Sequence, residues 1–444
     1  MLPDPESTAS GLAPQRHESV PIAPTPVSIV EQSLLHEPGG EASPVGRLET
    51  PLDPNLPPPL PEASSSEMPV VPPILASLPV LTPISVSSAD PTIWLPSPFE
   101  YWKKAVEFCS AVRRGSIQMG EVSHITNRMK AHLASGRQGL LAFSGDTGFV
   151  LQKQVPPDSD VWFIGDIHGD MLAFSALTDY ARETSKRNQR TPFFFFLGDL
   201  FDDGDLAHGV LVGFFSLLLE FPKQVAFVAG NHDVGLSCDA QSNLFKSSVT
   251  PSDFADWLNA PTTGGEWREL AQVAIAFFRV APRAVLLPDG TLVSHGGIPL
   301  TDRHEKIGKV EDLSSEECLE DFVWTRAHET ARRKIPNRST RGCSFGYQDF
   351  DEFCDLTAKF LSPPVRQLIR GHDHVPERWQ LPPKYALHPL LTINAMSWRQ
   401  RDLFGPFERK PVIARWVRDQ LPEVHQIEIP AGVIREIYET PSPA

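Results

Sequence analysis

Five short apolar segments in this sequence each run directly into polar residues of the kinds that bind metal ions. The five polar endings are Gly-Asp-Ile-His-Gly (165–169), Gly-Asp-Leu-Phe-Asp (198–202), Gly-Asn-His-Asp (230–233), Ser-His-Gly-Gly (294–297) and Arg-Gly-His-Asp-His (370–374). Short runs that are apolar on both faces predict strands buried beneath other layers of the fold. Because α/β folds place their sites at the carboxyl ends of buried strands, we expect these endings to form one site.

The donor atoms of these endings are carboxylate and amide oxygens and imidazole nitrogens. This set suits manganese, iron or zinc, and none of the five endings contains a cysteine. One ending alone would carry little weight, because a lone Asn-His pair usually marks a turn. Five endings in order, each after a predicted strand, predict a metal site.

The sequence also predicts the main helices and strands around these endings. Strands are expected at 161–164, 193–197, 225–228, 292–293 and 367–369, where the apolar runs lie. Amphipathic patterns predict helices at 98–114, 119–133, 171–184 and 210–221.

The first 98 residues differ in composition from the rest of the chain. They contain 22 of the 44 prolines, no lysine, and no aromatic residue before Trp94. A segment with so few large apolar side chains cannot bury enough surface to offset the entropy lost on ordering. We therefore expect residues 1–93 to form an acidic, disordered arm and residues 94–444 to form one globular domain. The arm's Pro-Pro-Pro-Leu-Pro at 57–61 favours polyproline II, which SH3- and WW-type domains bind; a solvated spacer is the alternative.

Charge and cysteine content indicate which classes of partner and which cellular compartment to expect. The net charge is −15 and there is no long basic run, which argues against a nucleic-acid partner. No apolar run approaches the roughly 20 residues of a membrane span. Five scattered cysteines favour a reducing compartment over a disulfide framework. We expect a cytoplasmic protein without a membrane partner, with secretion through a signal in the arm as the alternative.

The order and content of the five endings resemble those of the calcineurin-like metallophosphoesterases, and within them the phosphoprotein phosphatases that act on serine and threonine. Three further stretches resemble that branch: 278–282 before the fourth ending, Phe-Val-Trp at 322–324, and Arg-Gly-Cys-Ser-Phe-Gly at 341–346. The resemblance covers most of residues 100–415. It implies an atypical, bacterial-type member with an α/β fold of the α+β type, in which helices flank two packed mixed β-sheets.

The resemblance implies two divalent metal ions per chain, manganese first, with iron or zinc as alternatives. Seven residues match ligand positions: Asp166 and His168 for the first metal, Asp199 as the bridging carboxylate, Asn231, His295 and His372 for the second metal, and His374 as a further ligand of the first. The phosphoprotein phosphatases lack the last of these histidines. A position beside the ligands is therefore the alternative for His374.

The resemblance also assigns the remaining catalytic groups. His232 resembles the general acid that protonates the leaving oxygen, and Asp202 resembles the carboxylate that orients it. A water molecule between the two metals would be the nucleophile. Arg341 resembles an arginine that binds the substrate phosphate, and Asn231 is expected to contact the substrate as well as a metal.

Three departures from the family pattern concern the substrate. Asp203 stands where the family has a phosphate-binding arginine, Arg326 where it has an acid, and Asp233 where it has glutamate. Asp203 beside a phosphate would repel it. Either Arg326 supplies the missing cation, with Asp203 as its partner, or Asp203 faces solvent and Arg341 alone binds the phosphate.

The resemblance implies a phosphomonoester hydrolase, in the first place a protein serine/threonine phosphatase, acting on a phosphorylated protein or a small phosphate. Asp233 is shared with diadenosine tetraphosphate hydrolases, and together with the altered phosphate site it makes such a phosphoanhydride hydrolase the second hypothesis. The third is a pseudophosphatase that binds partners through the arm. The complete ligand set and the Asp202–His232 pair count against this third hypothesis.

Removal of residues 1–93 should leave metal content and the turnover of a small substrate nearly unchanged. The arm lacks the apolar side chains needed to join a core, and truncation is tolerated best in such termini. Thermal unfolding and metal analysis of the shortened chain would test this expectation. A large fall in Tm would show that the arm packs on the domain, and selective loss of a protein substrate would identify a docking segment.

Overall fold

The computed structural model describes residues 119–136, 149–204, 206–332, 342–396 and 410–438, together with 106–107, 109–113, 115 and 117. The predicted arm, residues 1–93, lies outside these ranges, as does Arg341. The expectations for both therefore remain predictions. Among the helices in the described ranges, none is both long and apolar enough to cross a bilayer.

Strands and helices both occur throughout the described part of the domain. The strands are β1 (Val150–Gln152), β2 (Ser159–Ile164), β3 (Thr191–Phe196), β4 (Val225–Phe227), β5 (Leu236–Cys238), β6 (Phe245–Ser247), β7 (Ala284–Leu286), β8 (Thr291–Ser294), β9 (Arg326–Ala327), β10 (Ser344–Phe345), β11 (Gln367–Arg370), β12 (Trp379–Gln380), β13 (Leu390–Ile393), β14 (Val412–Trp416) and β15 (Glu423–Gln426). The helices are α1 (Met119–Ala134), α2 (Met171–Arg187), α3 (Ala207–Glu220), α4 (Asn231–Gly235), α5 (Asp253–Asn259), α6 (Gly265–Val280), α7 (Glu316–Trp324), α8 (Tyr347–Thr357) and α9 (Ala431–Tyr438).

Two mixed sheets form the centre of the described domain. The first has the strand order β15-β14-β2-β3-β4, and the second has the order β1-β7-β8-β11-β13-β12. Strands β2, β3 and β4 run parallel in the first sheet, and β8, β11 and β13 run parallel in the second. The predicted fold, two mixed sheets with flanking helices, is confirmed.

The predicted secondary structure agrees with these elements. The five predicted strands overlap β2, β3, β4, β8 and β11, and the predicted helices at 119–133, 171–184 and 210–221 correspond to α1, α2 and α3. Of the predicted helix at 98–114, residues 106–107 and 109–113 are described and helical. Cys109 and Val112 in that helix are buried, as its apolar pattern predicts.

The strands that lead into the site are apolar on both faces because both faces are covered. Every residue of β2 is buried, and so are residues 193–196 of β3. Side chains from both sheets, Trp162 and Ile393 among them, belong to one apolar cluster. Such packing holds the loops at the strand ends in place, as a site of several converging ligands requires.

The two sheets meet at the first polar ending. Asp166 forms a parallel bridge with Asn394, and its carbonyl oxygen accepts the N–H of Ala395 at 3.1 Å. A side chain at Gly165 would overlap the backbone oxygen of Ile393, so this position requires glycine. The contact fixes an ending of the first sheet against the second sheet.

Candidate metal centre

A first cluster of donor atoms forms where β2 ends. Nε2 of His168 lies 3.2 Å from Nε2 of His374 and 4.0 Å from Oδ2 of Asp166. The same Asp166 oxygen lies 3.4 Å from Nε2 of His374. Asp166 and His168 are buried, and His374 is half-buried at the rim. The structure thus brings His374 to the two residues with which the resemblance groups it.

A second cluster forms at the ends of β4, β8 and β11. Nε2 of His295 lies 2.9 Å from Oδ1 of Asn231, 3.1 Å from Nδ1 of His372 and 3.3 Å from Oδ2 of Asp199. All four residues are buried. The four predicted ligands of the second metal, including the bridging carboxylate, therefore lie together.

Asp199 belongs to both clusters through one oxygen atom. Its Oδ2 lies 3.6 Å from Nε2 of His168 and 3.3 Å from Nε2 of His295. Its other oxygen, Oδ1, accepts the backbone N–H of His232 at 2.9 Å. A side chain at Gly230 would overlap this carboxylate, which explains the glycine before Asn231.

The chemistry of the donors fits divalent metal ions. Nδ1 of His168 faces the carbonyl oxygen of Phe201 at 3.1 Å, and Nδ1 of His295 faces that of Leu197 at 2.8 Å. A carbonyl only accepts, so each Nδ1 carries the proton and each Nε2 directs a lone pair into its cluster. Metal-ligating histidines typically donate their other N–H in this way. The imidazole lone pairs and carboxylate oxygens of each cluster then face one another and repel. A cation bound between them would attract all of them.

The electrostatics of the histidines agree with this interpretation. Burial lowers the pKa of His168 to about 3, and burial together with Arg326 lowers that of His372 well below its usual value. Both imidazoles are therefore neutral, as metal ligands must be. Burial also lowers the pKa of His295, but Asp199 outweighs it and raises the pKa. The cause of the raised pKa is the carboxylate of Asp199 beside Nε2 of His295.

Several residues of the endings have left-handed backbone conformations, which residues other than glycine rarely adopt. The φ angle is 45° at His168, 51° at Asp199 and 67° at His372. Each such conformation raises the free energy of the folded state by roughly 1–3 kcal/mol, and it occurs where packing and hydrogen bonds around the residue hold it. All three side chains lie in the donor clusters, so the backbone strain coincides with the site.

His232 and Asp202 form the predicted pair beside the clusters. Nδ1 of His232 lies 2.7 Å from Oδ2 of Asp202, and both side chains are buried. Oδ1 of Asp202 accepts the backbone N–H of Phe254, at the start of α5, at 3.0 Å. Burial lowers the pKa of His232, but Asp199 and Asp202 outweigh it and raise the pKa to about 9. His232 therefore holds its proton at neutral pH.

Asp233 stabilises the loops beneath the site. Its carboxylate accepts the backbone N–H groups of Gly230 and Asp199, each at 2.8 Å, and that of Leu200 at 3.3 Å. Asp233 therefore connects the second and third endings. The residue that this chain shares with diadenosine tetraphosphate hydrolases therefore holds the loops of the site by hydrogen bonds to their backbone.

The structure corrects the predicted partner of Arg326. Nη1 of Arg326 lies 2.6 Å from Oδ1 of Asp373, with which it forms an ion pair, instead of pairing with Asp203. The Asp203 side chain is only 7% exposed, so the alternative in which it faces solvent is wrong as well. Its Oδ2 lies 3.9 Å from Nδ1 of His168, and its backbone N–H donates to Asp253. The Asp203 side chain therefore lies beside the first cluster.

Two charged residues near the site, Arg370 and Asp373, were missed from the sequence. Arg370 is fully buried and forms an ion pair with Asp373, so that two arginines contact one carboxylate. Arg370 also donates to the backbone oxygen of Gly296. The sequence did contain a signal for them, because the fifth ending holds an arginine and an aspartate beside its two histidines.

Comparisons with known proteins agree with this geometry. Residues 159–376 match the model of the calcineurin-like phosphoesterase family, and all seven predicted ligands lie within that range. The catalytic subunit of serine/threonine-protein phosphatase 6 from Caenorhabditis elegans is 23% identical over 227 residues. The alignment covers 50% of this chain and 61% of that protein, so the chain spans less than two thirds of this relative.

Two solved structures are similar at low identity. A serine/threonine phosphatase from Saccharomyces cerevisiae, described as similar to human phosphatase PP5, is 17% identical with a TM-score of 0.47, covering 70% of this chain and 90% of that chain. A putative diadenosine tetraphosphatase is 16% identical with a TM-score of 0.34, covering 63% of this chain and 98% of that chain.

Residues 159–376 of the chain form a calcineurin-like phosphoesterase domain. The family predicted from the five endings is confirmed, and with it the predicted enzyme class, the metallophosphoesterases. The similarity to a serine/threonine phosphatase agrees with the predicted branch.

Proposed function

We propose that the chain is a metal-dependent phosphomonoester hydrolase that removes phosphate from serine and threonine residues of proteins. The observation that carries the proposal is the single Asp199 oxygen shared by two clusters of metal-binding side chains. Paired metal sites of this kind, about 3.5–4 Å apart, are typical of enzymes that hydrolyse phosphate esters.

The ligand assignment follows the two clusters. Asp166, His168 and His374 would hold one ion and Asn231, His295 and His372 the other, with Asp199 shared between them. When bound, two divalent ions would lower the pKa of a water molecule towards about 7 and make it a nucleophile. Manganese is the proposed metal, because oxygen and imidazole donors without thiolates suit it.

His232 is the proposed general acid. Because Nδ1 donates to Asp202, the proton available to a substrate is the one on Nε2. Asp202 is itself held by the N–H of Phe254, so the orientation of the imidazole is fixed from two sides. His232 would give its proton to the leaving oxygen of the serine or threonine.

A phosphoanhydride hydrolase of the diadenosine tetraphosphate type is the second candidate function. The observation that favours it is the departure at Asp203, which leaves an acid beside the first cluster where a phosphate-binding arginine is usual. A pseudophosphatase is disfavoured because the described ligand set and the Asp202–His232 pair are complete. The partner of the proline-rich arm and the cytoplasmic location remain predictions.

Parallel assays on three substrates would test the proposed function. The manganese-loaded chain should release phosphate from a phosphoserine or phosphothreonine peptide faster than it cleaves a dinucleotide polyphosphate. A phosphotyrosine peptide included in the same assay would define the residue specificity. A preparation stripped with a chelator and reloaded with manganese is the control, since activity should fall and return. Faster cleavage of the dinucleotide would favour the second candidate, and no turnover of any substrate would favour a pseudophosphatase.

A further inference from the structure

Arg326 lies beside the second cluster on a short two-stranded sheet. It is the first residue of β9, which pairs in parallel with β10, and its backbone N–H donates to the oxygen of Cys343 at 2.9 Å. A side chain at neighbouring Gly342 would overlap the backbone oxygen of Trp324, so the two segments are closely packed. The backbone of Arg326 is thus fixed independently of its side chain.

The guanidinium of Arg326 is held by the peptide that carries two predicted ligands. Nη1 donates to Oδ1 of Asp373 at 2.6 Å and to the backbone oxygen of His372 at 3.2 Å. Asp373 lies between His372 and His374, so the head group of Arg326 contacts the segment that carries one predicted ligand of each cluster. Its effect on the pKa of His372 reflects the same proximity.

Nη2 of Arg326 makes no hydrogen bond with the described residues. The hydrogen bonds of its guanidinium with described residues use Nη1, and the buried Nε has no partner among those residues. The side chain is 21% exposed, so part of it is accessible to solvent. An arginine with a free terminal nitrogen can still donate to an anion.

The charges around Asp373 leave one positive charge uncompensated. Two arginines share this carboxylate, and Arg370 is fully buried with its other bonds made to Gly296, Thr325 and Thr392. The surplus positive charge at the surface therefore belongs to Arg326. It lies near the predicted metal ligands, where a substrate phosphate would need a cation because Asp203 replaces the family arginine.

We propose that Arg326 binds the phosphoryl group of the substrate and that Asp373 is the positioning residue that holds it there. The pair would take over the role of the arginine that is missing at position 203. This inference rests on the proposed function, because it assumes that a phosphoryl group binds between the two clusters. The alternative is that Arg326, Asp373 and Arg370 form an ion network that only stabilises the fifth ending.

Binding of inorganic phosphate to the manganese-loaded full chain separates these possibilities. Arg326→Ala should weaken phosphate binding roughly ten- to hundredfold, the range for a lost hydrogen bond to a charged group. Arg326→Lys should lie between this variant and the unaltered protein, because lysine keeps the charge but not the planar geometry. Isothermal titration gives the Kd, and metal analysis should show unchanged manganese content in each variant.

The positioning role of Asp373 is tested by substituting it both in the unaltered chain and in the Arg326→Ala variant. Asp373→Asn should weaken phosphate binding several-fold in the otherwise unaltered chain and add nothing in the Arg326→Ala background. Asp373→Glu keeps a negative charge for Arg370 but displaces it by one methylene. It should weaken phosphate binding with a smaller loss of stability. Additive losses in the double variant would show that Asp373 does not act through Arg326.

Asp160→Asn is the matched control. Asp160 is also a buried carboxylate shared by two arginines, Arg190 at 2.9 Å and Arg415 at 3.6 Å, but it lies near the amino end of β2. Its substitution should lower stability and leave the Kd for phosphate unchanged. Unchanged phosphate binding in Arg326→Ala, with metals retained, would overturn the proposal. The binding measurement does not require turnover. If the protein proved inactive, the proposed function would be refuted, but the titration would still show whether Arg326 binds phosphate.

Discussion

An Asp199→Ala variant is expected to lose both metal ions and nearly all hydrolytic activity. One oxygen of this residue lies within 3.6 Å of Nε2 of His168 and 3.3 Å of Nε2 of His295, so its removal takes the shared anion from both clusters. A carboxylate that serves two cations cannot be replaced by the neutral imidazoles around it. Metal content per chain and turnover of an aryl phosphate, measured on the same preparation, would test this.

Two further variants separate loss of metal from loss of fold. Asp199→Asn retains an oxygen that can accept the N–H of His232, now 2.9 Å from Oδ1, so it should remain folded and still lose metal. Asp289→Ala removes a buried carboxylate that accepts from Thr291 and Trp416 at the opposite end of β8, and it should retain both ions. One tightly bound zinc in the unaltered chain, or an active Asp199→Ala variant, would contradict the two-metal assignment.

The side chains of the two clusters could be predicted from the sequence because each lies next to a strand end. The apolar runs predict the strands, and parallel strands bring their carboxyl ends to one edge of a sheet. Residues immediately after those runs, such as Asp166 and Asn231, must then lie at that edge. The structure places all seven predicted ligands in the two clusters for this reason.

The partners of the other charged residues could not be predicted in the same way. Arg326 and Asp373 are 47 positions apart, and their pairing depends on where β9 and β10 lie relative to β11. Family positions favoured Asp203 as the partner, but packing buries that side chain beside His168. The support of Asp202 by the N–H of Phe254 is equally hidden, because every residue except proline has a backbone N–H.

A His232→Ala variant is expected to retain its metals and to hydrolyse alkyl phosphates far more slowly. General acid catalysis contributes roughly 10²–10⁴-fold, and a serine or threonine oxygen is a poor leaving group that needs the proton. An aryl phosphate has a better leaving group and should lose much less. The turnover of a phosphoserine peptide and of an aryl phosphate, compared at equal metal content, would measure the difference.

The Asp202–His232 pair offers a graded test and a matched control for this role. Asp202→Asn keeps the shape of the side chain but removes the charge that orients and protonates His232, so it should give a milder form of the same substrate-dependent loss. His388→Ala disrupts a comparable pair, in which Nδ1 of His388 lies 2.9 Å from Oδ1 of Asp351, away from the two clusters. That variant should hydrolyse both substrates at the unaltered rate. Equal losses on alkyl and aryl phosphates in His232→Ala would assign His232 to phosphate binding instead, because a residue that only binds the phosphoryl group does not distinguish between leaving groups.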